Sequence, residues 1–175
     1  MNALTVERIK EVFDTNNQDE QGQFVQGSKT QQHAAQFAEE FLLTYDIIEP
    51  RIEDPQYAEF CTYAVTALAD IQVRDYVIGI INDNNINTIN RALTNLSKIT
   101  PQEYVSPINT MLALTYYELD DADKAIEIID TVPIAYSMAT LLKRVFSAGW
   151  DKSEFKEMRQ ELHPKVVAGI FGDKE

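Results

Sequence analysis

The chain contains few of the residues from which metal and redox sites are built. It has one cysteine and two histidines among 175 residues. A single cysteine excludes a disulfide within the chain and a cysteine-rich zinc site. The two histidines, His33 and His163, lie too far apart in sequence to form a His-x-x-x-His metal-binding pair, and each is predicted to be a surface or helix-capping residue. We therefore expect no metal and no cofactor.

Turn-forming residues and long apolar runs are also scarce. Six glycines and six prolines disfavour an all-β fold with many tight turns. No run of about 18 apolar residues is present, which predicts that no helix crosses a membrane. Residues 1–13 are polar and mixed in charge, so they do not resemble a signal peptide. With a hydrophobic content of 45%, residues 1–175 are predicted to form one folded domain in the cytoplasm.

Positively charged residues are also scarce relative to acidic ones. Lysine and arginine together number 15 against 28 acidic residues, which gives a formal net charge of −13. Direct binding to nucleic acid or to an anionic membrane needs a positive surface, so both are disfavoured. A protein is the partner that remains most compatible with this composition.

Apolar residues recur at helical spacing through most of the chain, which predicts an all-α, compact bundle of about eight to ten short helices. Residues 73–81 are rich in β-branched side chains and could form a strand, but their period is closer to that of a helix. A connector around Pro50 is predicted at residues 49–53. The predicted helices or helical turns cover residues 4–13, 30–48, 54–68, 73–81, 86–96, 100–103, a hairpin within 105–133, then 136–146, 151–162 and a last segment that Pro164 opens.

Residues 14–30 are polar, include Gly22 and Gly27, and are predicted to form a loop or mobile segment. Their sequence GQFVQGSKT resembles a phosphate-binding loop in part. Ser28, however, separates Gly27 from Lys29, where that motif has glycine and lysine adjacent, and no strand precedes it. A polar loop is therefore the favoured interpretation.

The best-defined pattern is a helical hairpin in residues 105–133. Ser106 is the predicted N-cap, Asp120 and Asp121 interrupt the apolar stripe, and Pro133 ends the second helix. The hairpin resembles a single tetratricopeptide unit, with Asp120 in place of the turn glycine. Only one copy is present, so a repeat array is not expected. The residues that carry this resemblance are Ala113, Tyr116, Leu119 and Ala125.

A wider resemblance spans residues 67–155, which are similar to the C-terminal helical part of an uncharacterised actinobacterial domain-of-unknown-function family. The resemblance implies a helical fold and no particular activity. In order along the chain, the matching residues are Val73-Arg74-Asp75, the stretch 120–125, the stretch 132–139, Leu141, Leu142 and Gly149.

Three functional hypotheses follow. The favoured one is a non-catalytic protein-interaction or assembly module that holds a peptide or a partner helix. The alternative is an acidic inhibitor or nucleic-acid mimic of phage or plasmid origin, whose carboxylates bind a basic protein surface. An enzyme is least favoured, because no paired catalytic set is evident. The candidate binding residues are the acids around the hairpin turn and the nearby tyrosines: Tyr116, Tyr117, Glu118, Asp120, Asp121, Asp123 and Tyr136.

Two further features have more than one interpretation. Arg74 and Asp75 lie beside an apolar stripe, where they could form an internal salt bridge or one half of a binding pocket. Cys61 falls on the apolar face of its helix, which favours a buried structural thiol over a nucleophile.

Overall fold

The computed structural model describes residues 3–46 and 54–172. Within these ranges the chain forms nine helices and no strand, which confirms the all-α prediction. No helix in the described ranges is long and apolar enough to cross a membrane. The helices are α1 (Val6–Thr15), α2 (Lys29–Leu43), α3 (Pro55–Ala69), α4 (Ile71–Ile80), α5 (Ile86–Ile99), α6 (Ser106–Glu118), α7 (Ala122–Ile129), α8 (Ser137–Ser147) and α9 (Lys152–Phe171).

Helix α6 lies at the centre of the molecule. Its side chains are buried around most of its circumference, including Ile108, Met111 and Leu114, and it contacts α3, α4, α5, α7, α8 and α9. A helix that is apolar on all sides is stable only when other elements cover it. Helix α7 folds back on α6, so the two helices of the predicted hairpin are present, with α6 in the middle of the core.

Local side-chain chemistry sets several helix boundaries. The Asp54 side chain accepts a hydrogen bond from the Gln56 amide, with Pro55 at the start of α3. Asp121 caps α7 by accepting from the Lys124 amide at 3.1 Å. Gly149 follows α8 with φ of +63°, the left-handed conformation that favours glycine after a helix.

Three other boundaries differ from the sequence prediction. Ser106 is the first residue of α6 and not its cap, and Val105 before it makes no side-chain capping bond. Thr100 ends α5, because its hydroxyl donates to the Leu96 carbonyl at 2.5 Å instead of starting a new helix. Pro164 lies inside α9 and does not open a separate segment. The missing proline N–H removes one hydrogen bond, and the packing of α9 on α4 offsets that loss.

The loop between α1 and α2 is shorter than predicted and is fixed to the core. The Gln18 side chain is buried and donates to the carbonyls of Gly22 at 2.7 Å and Thr66 at 2.8 Å. Asp70, which caps α4, also accepts from the Phe24 amide at 2.8 Å. Such polar contacts hold the segment against α3 and α4, so the interpretation as a mobile segment is replaced by a structured loop.

The resemblance to a phosphate-binding loop has an internal structural explanation. Ser28 caps α2 by accepting from the Gln31 amide, and the Gly27 amide donates to the Gln31 side chain at 2.8 Å. These backbone donors are therefore used within the protein. Helix α2 ends at Leu43 and residues 44–46 form a turn, so the predicted helix is too long at its C-terminal end. Residues 47 and 48 of that prediction and the predicted connector around Pro50 lie outside the described residues.

Candidate interaction groove

An apolar cavity of about 310 Å³ opens between α8 and α9. We call it the α8–α9 groove. Ile78 of α4 and Leu114 of α6 contribute to its lining, and the walls come from the two helices. The remaining lining residues are Asp75, Met138, Leu141, Leu142, Phe155, Met158, Arg159, Leu162, His163, Lys165 and Val166.

The groove exists because α8 and α9 pack on different parts of the core. Helix α8 packs on α6 and α7, whereas α9 packs mainly on α4. Residues 148–151 join them, and Gly149 provides the left-handed turn at which the chain changes direction. The two helices therefore leave apolar side chains uncovered on their facing walls.

Two leucines on opposite walls mark the opening of the groove. Leu141 is 47% exposed and Leu162 is 53% exposed. Of the two adjacent leucines in α8, only Leu142 is buried in the core. Met138 and Met158 are half-buried in the same walls. Methionine side chains are flexible and adapt to different apolar partners, which suits a binding surface better than a rigid core.

A buried ion pair fixes α9 beside the groove. Arg159 donates to both carboxylate oxygens of Glu118, at 2.6 and 2.8 Å, and the two side chains are only 4% and 6% exposed. The same guanidinium donates to the carbonyls of Ile78 at 3.0 Å and Ile81 at 2.7 Å. Arg159 is therefore already fully engaged by the end of α4 and the end of α6. Its role at the groove is structural.

Arg74 and Asp75 form the internal salt bridge that was one of their two interpretations. Arg74 is buried, and its guanidinium donates to Asp75 at 2.8 Å and to the Tyr136 hydroxyl at 2.6 Å. The Arg74 guanidinium also lies 5.4 Å from the centre of the Tyr136 ring, within range of a cation–π interaction. These contacts attach the residue before α8 to α4. Asp75 also lines the groove, so the salt bridge forms part of its wall.

His163 is neither a free surface residue nor a helix cap. It lies inside α9, and its ring packs on Gly79 of α4 and 5.4 Å from the Tyr76 ring. Its Nδ1 atom is buried and has no hydrogen-bond partner among the described residues. Burial lowers the pKa of His163, and the negative charge of Glu39 opposes this shift without cancelling it. The imidazole is therefore held preferentially in its neutral form.

Stability should depend on pH through His163. Because the folded-state pKa is lowered from an ordinary value of about 6.5, its contribution is fully present above that pH and is lost as the pH falls through the folded-state value. We expect the free energy of unfolding to fall less between about pH 7.5 and about pH 5.5 in His163→Asn than in the wild type. Urea unfolding at the two pH values measures this. Equal losses in the two proteins would contradict this explanation, since the acidic residues titrate in both.

The predicted binding residues divide into buried and exposed groups. Tyr117 is buried, its ring stacks on Phe146 with centres 4.4 Å apart, and its hydroxyl donates to the Trp150 carbonyl. Glu118 is occupied by Arg159. These two residues are parts of the core, and the prediction that they belong to an exposed binding surface is wrong. Amphipathic spacing could not reveal this, because α6 is covered on nearly every side.

The acidic turn remains on the surface but has structural roles. Asp120 has φ of +65°, so it occupies the left-handed position where glycine was replaced. Its carboxylate pairs with Lys152 at 2.5 Å, which places the turn beside the first turn of α9. Asp121 caps α7, and Asp123 is exposed in the first turn of that helix. Tyr116 and Tyr136 are both half-buried, and Tyr136 is held by Arg74.

The single cysteine, Cys61, does not line the groove. Cys61 is fully buried, as predicted, and burial raises the pKa of its thiol to about 11. A thiol with such a pKa is almost entirely protonated at neutral pH and is a poor nucleophile. Cys61 therefore contributes packing to α3.

Comparisons of the chain with protein-family models, with curated proteins and with solved structures find no match. The resemblances to the actinobacterial family and to a tetratricopeptide unit stay predictions. The α8–α9 groove and the charge around it are therefore the features from which function is inferred.

Proposed function

We propose that this protein is a non-catalytic interaction module that takes an apolar segment of a partner protein into the α8–α9 groove. The observation that carries the proposal is the pair of exposed leucines, Leu141 and Leu162, on facing walls of an apolar cavity of about 310 Å³. Concave apolar surfaces of this kind commonly mark binding sites. The cytoplasm is the location proposed for this activity.

The proposed class of function is the one predicted from the sequence, but the proposed binding surface is the α8–α9 groove and not the acidic turn. The acidic turn was the first candidate, but Asp121 is used as a helix cap and Asp120 as an ion-pair partner. The groove instead offers exposed apolar side chains whose burial by a partner would be favourable, at roughly 25 cal/mol for each Å² removed from water. Apolar contact supplies affinity, and the surrounding charge selects the partner.

An acidic inhibitor of phage or plasmid origin is the second candidate, and the net charge of −13 supports it. A mimic of nucleic acid needs many carboxylates free to contact a basic surface. Several of the acids serve other purposes here, since Asp54, Asp70 and Asp151 cap helices in addition to Asp121. The groove is therefore favoured over a carboxylate surface.

Introducing charge into the groove should abolish partner capture. We expect the Leu141→Glu/Leu162→Glu variant to lose a partner that the wild-type protein retains from extracts of its source cells. The expected loss in affinity is roughly thirtyfold or more, because central apolar contacts often contribute at least about 2 kcal/mol each. Both leucines are about half exposed, so the fold should tolerate the change. Quantitative affinity capture followed by titration with the purified partner measures the effect.

The matched control is Val25→Glu. Val25 is 71% exposed on the loop before α2 and does not line the groove. This variant adds one negative charge to an exposed apolar position, compared with two in the groove variant, and should bind as the wild type does. Equal binding by the groove variant and the wild type would remove the groove from the proposal.

A further inference from the structure

We infer that the partner segment is an amphipathic helix with two or more apolar anchors on one face and lysine or arginine residues beside them. The inference rests on the proposed function of the α8–α9 groove. It specifies the chemistry of the occupant from the size of the groove, the absence of a sheet edge in the described ranges and the charge of the α9 flank.

The dimensions of the groove fit the side chains of a helix. An apolar cavity of roughly 150 Å³ holds one benzene-sized group, so the volume of about 310 Å³ has room for about two large apolar side chains. The α9 wall runs from Phe155 to Val166, which at about 1.5 Å per residue spans roughly 16 Å. That length matches about three turns of a partner helix with anchors at i, i+4 and i+7.

An extended partner is less compatible with this surface. Extended peptides usually bind by adding a strand to an exposed sheet edge, whose backbone groups they pair. Residues 3–46 and 54–172 contain no strand, and the groove walls are side chains of α8 and α9. A helical partner satisfies its own backbone hydrogen bonds and needs only apolar contact from the groove.

Exposed acidic residues of α9 supply the negative charge beside the groove. Glu154, Glu157 and Glu161 are exposed, and no ion pair within the described ranges involves them. At about 100° per residue, Glu154 and Glu161 both lie within about 60° of Met158, on the edge of the groove wall that faces solvent. Glu154 and Glu161 form an acidic border along the apolar wall, and Glu157 lies farther round the helix, about 100° from Met158.

Other charged residues lie near both ends of the acidic border. The Asp120–Lys152 pair brings the acidic turn next to the start of α9; Lys152 offsets the charge of Asp120, and the exposed Asp121 and Asp123 carry negative charge nearby. Lys165 also lines the groove and adds a positive charge at the other end of its α9 wall. The net charge of −13 makes the long-range field attractive to a basic segment. A partner with basic residues along the α9 edge complements this distribution.

Synthetic peptides test the inference on the full-length protein. The probe is a fluorescein-labelled model helix with leucines at i, i+4 and i+7 and lysines beside them. A second peptide has glutamates in place of the lysines, and a third has the lysine peptide's composition with its leucines scattered around the helix. Fluorescence anisotropy should show that the lysine peptide binds at least about tenfold more tightly than either comparison peptide.

Variants of the protein test the apolar contact and the charge contact separately. Leu141→Glu/Leu162→Glu should weaken the lysine peptide by at least about tenfold. Leu141→Ala/Leu162→Ala tests the same contact if the charged variant does not unfold cooperatively in urea. The variant Glu154→Gln/Glu157→Gln/Glu161→Gln should reduce the preference for lysine over glutamate by at least about threefold while the preference for the ordered leucine face remains.

Distinct outcomes overturn the inference. Equal binding of the lysine and glutamate peptides contradicts the charge assignment, and equal binding of the scattered-leucine peptide contradicts the helical face. A dimer detected by sedimentation equilibrium that the groove variant dissociates would make a second copy of the chain the occupant. If the peptides fail to bind while the natural partner still requires Leu141 and Leu162, the helix inference is wrong and the proposed function stands.

Discussion

Glu118→Gln should lower the free energy of unfolding by about 3–5 kcal/mol, the usual cost of removing one partner from a buried ion pair. Within the described ranges Glu118 is the only carboxylate that pairs with Arg159, and both side chains are almost completely buried. The neutral amide would leave the guanidinium charge buried without its counterion. Because Arg159 also holds the carbonyls of Ile78 and Ile81, the change should loosen the contact between α9 and α4.

Urea unfolding followed by circular dichroism measures this loss. The matched control is Asp120→Asn, which breaks the exposed pair with Lys152. Asparagine tolerates the left-handed backbone at this position, and surface ion pairs contribute little to stability, so the control should be almost unchanged. If the two variants lose similar amounts of stability, Arg159 does not anchor α9 in the way described.

The double variant Glu118→Leu/Arg159→Met gives a second test. Replacing both members of a buried pair by apolar residues of similar size is often nearly neutral. Here the two carbonyls would still lose their donor, so recovery should be only partial. Stability clearly above that of Glu118→Gln is expected, because the unpaired buried charge is gone. Stability equal to that of Glu118→Gln would show that the carbonyl contacts, and not the charge, dominate.

Gly79→Ala should destabilise the protein although alanine is normally the better helix former. At an unobstructed site inside a helix the change would stabilise by up to about 1 kcal/mol. At Gly79 the new Cβ would lie 2.0 Å from His163 Nδ1, 2.5 Å from its Cγ and 2.9 Å from its Cβ. The last atom is close to the backbone of α9, so a simple ring rotation cannot relieve the clash. A net loss of about 1–3 kcal/mol is expected from overpacking.

A double-mutant cycle isolates the contact. In a His163→Ala background the ring atoms at 2.0 and 2.5 Å are absent and only the Cβ contact at 2.9 Å remains, so Gly79→Ala should cost clearly less stability than it does in the wild type. Gly169→Ala in α9 is the matched control, because its nearest obstacle is the flexible Gln26 side chain at 3.3 Å. That variant should keep or slightly raise stability. Additive effects at residues 79 and 163 would contradict direct packing of α4 on His163.

The sequence predicted the helices well where local chemistry determines them. The Asp54–Pro55 start, the Asp121 cap and the left-handed Gly149 depend on side chains next to the backbone groups that they serve. Helical spacing also decided correctly against a strand in residues 73–81, most of which form α4. Local patterns predicted a boundary wrongly where another contact formed. The Thr100 hydroxyl, for example, donates to the Leu96 carbonyl and ends α5 instead of starting a new helix.

The site could not be located in the same way, because it depends on which helices meet. Tyr117 and Leu141 are both large side chains within helices, yet Tyr117 is buried and Leu141 is half exposed. The difference arises from the divergence of α8 and α9, which no spacing within one helix encodes. Gly79 inside α4 was the available signal for a close helix contact, but the sequence does not identify His163 as its partner.

Photo-crosslinking from within the groove tests the central claim most directly. With p-benzoylphenylalanine introduced at position 141 of the full-length protein in its source cells, irradiation should attach one discrete partner protein. The same residue at position 25 should not, and Leu162→Glu should remove the product formed from position 141. The same product from both positions, or a captured partner that never crosslinks to position 141, would show that the α8–α9 groove is not where the partner binds.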